Sequence, residues 1–477
     1  MTFNSLTYLG FLFAVVATFW ALPVIARRAL VMLASIVFYA SWDVRFVWLP
    51  VVVAGVVFMC GKGMQAGGRN AKRWMWIGSS SLLVLLAVFK YRAFVLENLA
   101  RLGIQPWHSG SWSVVTIAFP LGISFYTFEA IGYLIDVRQG RVKMPGFVDL
   151  CLFFLFWPNI LSGPIVRARE LMPQLGFARK FEPRLAFEGV DRIVWGLVQK
   201  NVIANVLGTW VDRGFGGPPV ASHSTLDSWF LAIAFGLQIY FDFAGYTNLA
   251  IGAARLIGVE LPENFRHPYH ASNPADFWNR WHMTLSRWIR DYLFFPINAR
   301  WKGAPGPLYA SLIGVMALVG LWHGAGWGFL IWGTMHGVYL VTYRAYEGLA
   351  VERPALKSSR LVAAFWRIAT LAGLAAAWVP FRAAALAKTF SVWSAMFFRF
   401  TWRAEYNALF YTVTLLVILF CVIEPLVMGI LREVEEQAGE GGPSMFRIVF
   451  RPVAHLLGFT LFLVFDQGYS QFIYSQF

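Results

Sequence analysis

Charged side chains are scarce in this chain: Asp, Glu, Lys and Arg together make up 14% of its 477 residues, against 58% hydrophobic ones. Mean hydropathy is +0.58. Soluble domains carry about 25% charged residues, so the scarcity excludes a water-soluble enzyme or binding module and implies an all-α polytopic membrane protein. Cysteine is also scarce. Cys60, Cys151 and Cys421 stand alone, each in or beside an apolar run, which excludes a disulfide framework and indicates no metal site. The sequence has no His-Glu-x-x-His, no Gly-x-Ser-x-Gly and no Walker phosphate loop, which removes the zinc hydrolases, nucleophile-elbow hydrolases and P-loop enzymes. His270 and Asp276 look like a His-x4-Asp acyltransferase pair, but residues 271–275 between them break that spacing. No internal repeat and no soluble stretch of domain size is left, so residues 1–477 read as one membrane-embedded domain.

The charge that is present is mostly basic, a net +15. In a soluble protein this would suggest nucleic acid. Here the basic residues gather in short connections, at 27–28, 62–73, 138–143 and 167–184, which is the positive-inside pattern and points to lipid headgroups, not nucleic acid, as the partner. The first apolar run, 5–25, lacks a positive n-region and is followed by Ala26-Arg27-Arg28, so it reads as a retained span and not a cleaved signal peptide. Further spans are expected at 29–42, 44–60, 74–89, 361–381, 409–430 and 446–465. Keeping both 27–28 and 62–73 inside requires two crossings between them, which places the N-terminus outside. The Ser79-Ser80-Ser81 triple within the 74–89 run suits close helix packing.

Several stretches differ from plain spans. In Phe119-Pro120-Leu121-Gly122-Ile123-Ser124-Phe125-Tyr126-Thr127-Phe128, proline and glycine break the helix, and Glu129 and Asp136 follow. Irregular backbone with polar groups at membrane depth is tolerated only against protein or a water-filled cavity, so this stretch should border a cavity. The loop from Trp157 to Pro164 repeats the pattern and reads as re-entrant. Between 181 and 213 the pattern suits either an amphipathic helix or a marginal span. Asp242, inside an apolar run, should face the bundle interior, with Tyr246 or Asn248 as a partner. In 277–292, Trp278, Trp281, Leu285, Trp288 and Tyr292 recur at helical spacing opposite Arg280, Thr284, Arg287 and Asp291, which predicts one amphipathic helix lying in the interface with its aromatics among the headgroups.

The centre of the chain is Leu321-Trp322-His323-Gly324-Ala325-Gly326-Trp327, an imidazole set between apolar stretches 308–321 and 329–340, with His336 further along. An ionisable group at membrane depth is costly and marks function by default. A neutral imidazole there suits proton abstraction from a hydroxyl, a contribution of roughly 10²–10⁴ in rate. On residue chemistry alone a membrane enzyme and a transporter both fit, since broken helices with Asp242, Glu129 and Asp136 also suit a substrate pathway.

The order of Phe119 to Phe128, Tyr133-Leu134-Ile135-Asp136-Val137, Gly163-Pro164-Ile165, Gln238 to Tyr246, Leu261-Pro262-Glu263-Asn264-Phe265, Asp276 to Pro296 and Trp322-His323-Gly324 resembles the membrane-bound O-acyltransferase family. Within it, the bacterial branch of alginate, cellulose and peptidoglycan O-acetylation proteins and teichoic acid D-alanyl transferases is the most similar. The resemblance implies about eleven transmembrane helices, with re-entrant and interfacial elements, around a central funnel. It implies His323 as the catalytic histidine, His282 as the second family histidine, and a funnel wall that includes Trp322, Asp242, Tyr246, Asn279, Arg280, Ser124 and Tyr126. It implies no bound cofactor. The donor substrate would be acetyl-CoA or an acyl-carrier thioester on the cytoplasmic side, and the final acceptor an extracytoplasmic polysaccharide hydroxyl. The setting would be the bacterial inner membrane with a periplasmic N-terminus. The end of the chain, 470–477, resembles a C-terminal aromatic motif, Phe-x-Tyr-x-x-Phe, which would make Tyr474 an acyl relay toward a periplasmic SGNH-type acetyltransferase partner.

Overall fold

The computed structural model describes residues 1–65, 67–104, 119–161, 163–216, 224–301, 304–383, 385–437, 449–466 and 473. Among them every regular element is helical. The chain enters through α1 (Leu6–Ala21), whose N-terminus is capped by the Ser5 hydroxyl accepting from Tyr8 N–H at 3.1 Å. Pro23 ends it, because the residue before a proline disfavours helix, and α2 (Val24–Asp43) follows. Helices α3 (Trp48–Met64), α4 (Gly68–Lys90) and α5 (Arg92–Arg101) complete the first third. The span expected at 44–60 starts later, because Asp43 accepts from Arg45 N–H at 3.0 Å and turns 44–46 into a short 3-10 corner.

The break expected near Pro120 is where α6 (Ile123–Arg138) begins, from Gly122 at φ 70°. A Cβ there would lie 2.1 Å from the Ile160 carbonyl oxygen. The facing loop is the short, buried sequence α7 (Phe147–Leu155), α8 (Trp157–Ile160) and α9 (Ala168–Leu171). The ambiguous stretch 181–213 becomes α10 (Pro183–Leu197), a π-helical turn at Val198–Ala204, and α11 (Asn205–Gly216). It is packed along the long central helix α12 (Thr225–Leu256). Two glycine pairs make the approach possible: a Cβ on Gly196 would meet the Gly245 carbonyl at 2.7 Å, and one on Gly252 would meet the Gly189 carbonyl at 2.6 Å. Both pairs are spaced seven residues along their helices, which keeps the seam on one face over two turns.

The single interfacial helix expected over 277–292 does not form. Residues 274–298 instead fold as α13 (Pro274–Trp278), a break, α14 (Met283–Ile289), a π-helical turn and α15 (Phe295–Asn298). Trp281, Trp288 and Tyr292 are buried in protein, not displayed to headgroups. The periodicity was real, but the face it defined meets other helices. Next come α16 (Pro305–His323) and α17 (Trp327–Glu352), then α18 (Pro354–Ser358), α19 (Arg360–Arg382), α20 (Leu386–Phe398), α21 (Ala408–Gln437) and α22 (Arg451–Phe465).

Six described helices are long and apolar enough to cross a membrane: Val24–Phe46, Gly68–Lys90, Thr225–Leu256, Pro305–His323, Arg360–Arg382 and Ala408–Val427. Three shorter apolar helices, Leu6–Ala21, Trp48–Met64 and Arg451–Phe465, accompany them. This is a multi-pass membrane protein. Its basic connections converge: Arg27 donates to the Phe177 and Arg179 carbonyls at 3.4 and 3.2 Å, Arg28 pairs with Asp149, and Arg179 pairs with Glu260 at 2.7 Å.

Candidate active site

His323 is the last residue of α16, at the apex of the α16–α17 hairpin. Glycine lets the two helices approach closely here: a Cβ on Gly333 would stand 2.2 Å from the Met316 carbonyl oxygen, and one on Gly324 would stand 2.1 Å from the Phe329 ring. A helix end leaves its last carbonyls without intrahelical donors. The α4–α5 corner supplies them. The Tyr91 hydroxyl donates to Leu321 O at 2.7 Å, and the Lys90 ammonium donates to Trp322 O and, at 3.2 Å, to His323 O. A cation at a helix C-terminus also complements the helix dipole. The backbone that carries His323 is therefore pinned from a helix more than 200 positions away in sequence.

The His323 side chain is buried in an aromatic cage, with ring centroids 4.9 Å from Trp322, 5.1 Å from Trp332 and 5.5 Å from Phe381. Trp322 stacks in turn on Phe128 of α6 at 5.0 Å. His282 faces His323 with 6.5 Å between centroids, too wide for a direct nitrogen–nitrogen hydrogen bond. It sits in the break between α13 and α14 at φ 41° and is fully buried, with its ring edge-on to Phe243 at 4.7 Å. His336 lies beyond Trp332, 4.6 Å from its ring, in contact with the Trp278 and Phe277 rings.

This cage has an unusual polar deficit. Trp278 Nε1, Trp322 Nε1, Trp332 Nε1, Trp378 Nε1, His282 Nε2 and His336 Nε2 are all buried without a hydrogen-bond partner among the described residues. A buried donor or acceptor left unpaired costs about 1–3 kcal/mol. Their concentration around one histidine is the pattern expected where water or a ligand completes the bonding.

The other sequence-predicted residues divide. Asp242 is buried and ion-paired with Lys200 from the π-helical turn of 198–204, not with Tyr246 or Asn248 as expected. Its second oxygen accepts from Ile473 N–H at 2.9 Å. Tyr246 lies under the Lys200 ammonium, 5.7 Å from ring centre to nitrogen, while Asn248 bonds Gln199 and Arg192. Ser124 and Tyr126 are buried on α6, near the Phe125 and Phe128 rings that contact Trp322. Arg280 binds Asp276 at 2.7 Å and Asn279 is exposed. Tyr474 lies outside the described residues. Glu129 and Asp136 are held structurally: Glu129 accepts from Asn159 Nδ2 and Val166 N–H at 2.8 and 3.0 Å, and Asp136 accepts from the Tyr292 hydroxyl at 2.7 Å. His270 bonds the Cys421 carbonyl at 2.7 Å and Asp276 bonds Arg280, so those two form no pair.

Sequence reasoning missed Lys90 and Lys200, and the bonds that Asn264 Oδ1 makes with His282 Nδ1 at 3.0 Å and Thr284 Oγ1 at 2.9 Å. It also missed a cavity of about 110 Å³ lined by Arg167, Arg169, Arg287, Arg290, Glu170, Asp291 and Thr284 among others. Burial favours a neutral Asp291, but Arg167 and Arg290 outweigh it and hold the carboxyl below its usual range. Burial pushes the Arg287 guanidinium down, helped by Arg167 and Arg290 and opposed by Glu170. The cavity thus carries an excess of positive charge, which favours an anionic occupant.

A membrane-bound O-acyltransferase family model matches residues 74–375. The chain is 36% identical over 407 residues to the "Probable alginate O-acetylase AlgI" of Azotobacter vinelandii, covering 83% of this chain and 78% of that one. It is 34% identical over 397 residues to the peptidoglycan O-acetyltransferase of Helicobacter pylori, covering 76% and 72%. It is 33% identical over 236 residues to the teichoic acid D-alanyltransferase of Bacillus subtilis, covering 48% and 59%.

Proposed function

The chain belongs to the membrane-bound O-acyltransferase family, and on that premise we propose that it moves an acetyl group from a cytoplasmic thioester across the inner membrane toward hydroxyls of an extracytoplasmic polysaccharide. The observation that carries this reading is the buried His323, facing His282 across 6.5 Å beside indole nitrogens and His282 and His336 Nε2 atoms that have no hydrogen-bond partner among the described residues. His323 acts as general base. It takes the proton of an attacking hydroxyl as the oxygen bonds to the thioester carbonyl carbon; the carbon–sulfur bond then breaks and the proton passes to the departing thiol.

The donor is acetyl-CoA or an acetylated carrier protein, both of which carry the acyl group on a phosphopantetheine arm. The arginine-rich cavity supports this, because it offers positive charge to a phosphate at the end of the molecule where the basic connections converge. The positive-inside pattern assigns that end to the cytoplasm and the N-terminus to the periplasm. The first acceptor is the Tyr474 phenol, from which the acetyl group passes to a periplasmic SGNH-type transferase. Support for the relay comes from the neighbouring Ile473, whose N–H is bonded to Asp242 inside the bundle. Asp242 adjoins Phe243, which touches His282.

The test is His323→Ala in cells, with polysaccharide acetyl content and thioester consumption both measured. Loss of both, with the protein still folded in the membrane, supports the enzyme. Unchanged thioester consumption, with loss of an exported polymer or solute, points to a transporter instead.

A further inference from the structure

Asn264 clasps the break that carries His282. Its backbone carbonyl accepts from Met283 N–H at 2.9 Å, and its side-chain Oδ1 meets Thr284 N at 3.3 Å, Thr284 Oγ1 at 2.9 Å and His282 Nδ1 at 3.0 Å. Thr284 Oγ1 itself accepts from Ile165 N–H at 3.0 Å. A backbone N–H can only donate, so the Asn264 atom that meets Thr284 N is the carboxamide oxygen and not the amide nitrogen. That oxygen can only accept, so the proton of His282 is on Nδ1. Nε2 is then a bare lone pair, fully buried and unpartnered among the described residues. A second proton on Nε2 would make a buried cationic donor with no acceptor, the costlier alternative.

We propose that Asn264 is a positioning residue that holds His282 as the Nδ1–H tautomer, so that Nε2 accepts a hydrogen bond from an amide N–H of the donor's pantetheine arm. The amide is the fitting donor because the hydroxyl proton of the acceptor is committed to His323. The route also fits, since Thr284 lines the arginine-rich cavity and binds Asn264. This rests on the thioester reading above. CoA and a carrier protein present the same pantetheine amides, so the chemistry is shared.

The experiment uses the full chain in lipid nanodiscs with ¹⁵N-labelled histidine, and His282→Gln identifies the His282 resonances. The expected result is a protonated Nδ1 and an unprotonated Nε2, kept in Asn264→Asp, which retains the acceptor, and lost in Asn264→Leu. In turnover, the wild type should prefer the acetyl thioester of N-acetylcysteamine, which has the amide N–H, over the thioester of mercaptoethyl acetate, in which an ester oxygen replaces it. The preference should be about tenfold, the value of one neutral hydrogen bond, and should fall to near unity in Asn264→Leu while Asn264→Asp retains it. Parallel KM measurements with acetyl-CoA and an acetylated carrier protein show which source is used, by which of them suffers in Asn264→Leu. A protonated Nε2 in the wild type, or an amide preference that survives Asn264→Leu, overturns the proposal. If Asn264→Leu does not fold, the wild-type and Asn264→Asp spectra still decide it. The spectra read out without catalysis, so an unaltered His323→Ala enzyme would sink the functional reading and leave the tautomer result standing.

Discussion

Asp242 and Phe243 are neighbours on α12, and Phe243 touches the His282 ring. The polar atoms around Asp242 and around His282 are treated in opposite ways. Each oxygen of Asp242 has a partner within the protein, one Lys200 and one the Ile473 N–H. Around His282 and His323, the Trp278, Trp322, Trp332 and Trp378 indole nitrogens and Nε2 of His282 and His336 remain unpartnered among the described residues. A buried charge must be neutralised within the protein or the helix that carries it will not stay in the bundle. A neutral indole or imidazole can be left incomplete at a cost of about 1–3 kcal/mol, a cost that a bound substrate removes. The first region holds the bundle and the chain end together. The second is the region where the proposed chemistry would take place.

The largest effect that tests this contrast is on activity. His323→Ala should lower acyl transfer by at least roughly 10²-fold, the lower end for a lost general base, with no loss of thermal stability in detergent. A clear drop in melting temperature would show that the cage is structural after all. The Asp242–Lys200 pair should behave inversely. Asp242→Leu or Lys200→Met alone leaves an uncompensated buried charge and should destabilise by about 3–5 kcal/mol, whereas the double variant should recover most of that. If the double variant is no more stable than the worse single one, the pair is not acting as a unit.

Next in size is the α10–α12 seam. Gly196→Ala pushes a methyl group against the Gly245 carbonyl, which stands 2.7 Å from the ideal Cβ position, and should cost about 1–3 kcal/mol of stability by overpacking. The smallest effect is on pH dependence at the protein surface. At Asp276 burial favours the neutral acid, but Ser272 N–H and Arg280 outweigh it and hold the pKa below the usual 3.8. The stabilisation it gives is present above that value and is lost as pH falls through the lower, folded-state pKa. Asp276→Asn should therefore lower the melting temperature modestly at neutral pH, where that stabilisation is present, and flatten its decline below about pH 4.

Much of the fold was legible in the sequence because apolar run length and basic connections report on the membrane directly. The expected span at 361–381 is Arg360–Arg382, and the one at 74–89 lies within Gly68–Lys90. The break at Pro120–Gly122 was legible as well, since proline and a left-handed glycine leave little choice. The helix at 277–292 was misread because amphipathic periodicity reports a buried face without saying what buries it, and here the burying partner is protein. Lys90 and Lys200 were missed for a related reason. A lysine at the end of an apolar run, like Lys90, or within an amphipathic stretch, like Lys200, usually reaches water or lipid headgroups, and only the partner helices show that these two turn inward.

The sequence by itself determined that the chain lives in a membrane, which stretches are helical, and that His323 occupies a costly position, because hydropathy, helix breakers and ionisable residues are local properties. Tertiary structure alone decided that His282 meets His323, that Lys200 neutralises Asp242, that Lys90 caps the helix carrying His323, and that Asn264 holds His282. Each of these contacts joins residues on separate elements. Their distances are set by glycine seams and a left-handed break whose consequences appear only when the helices pack.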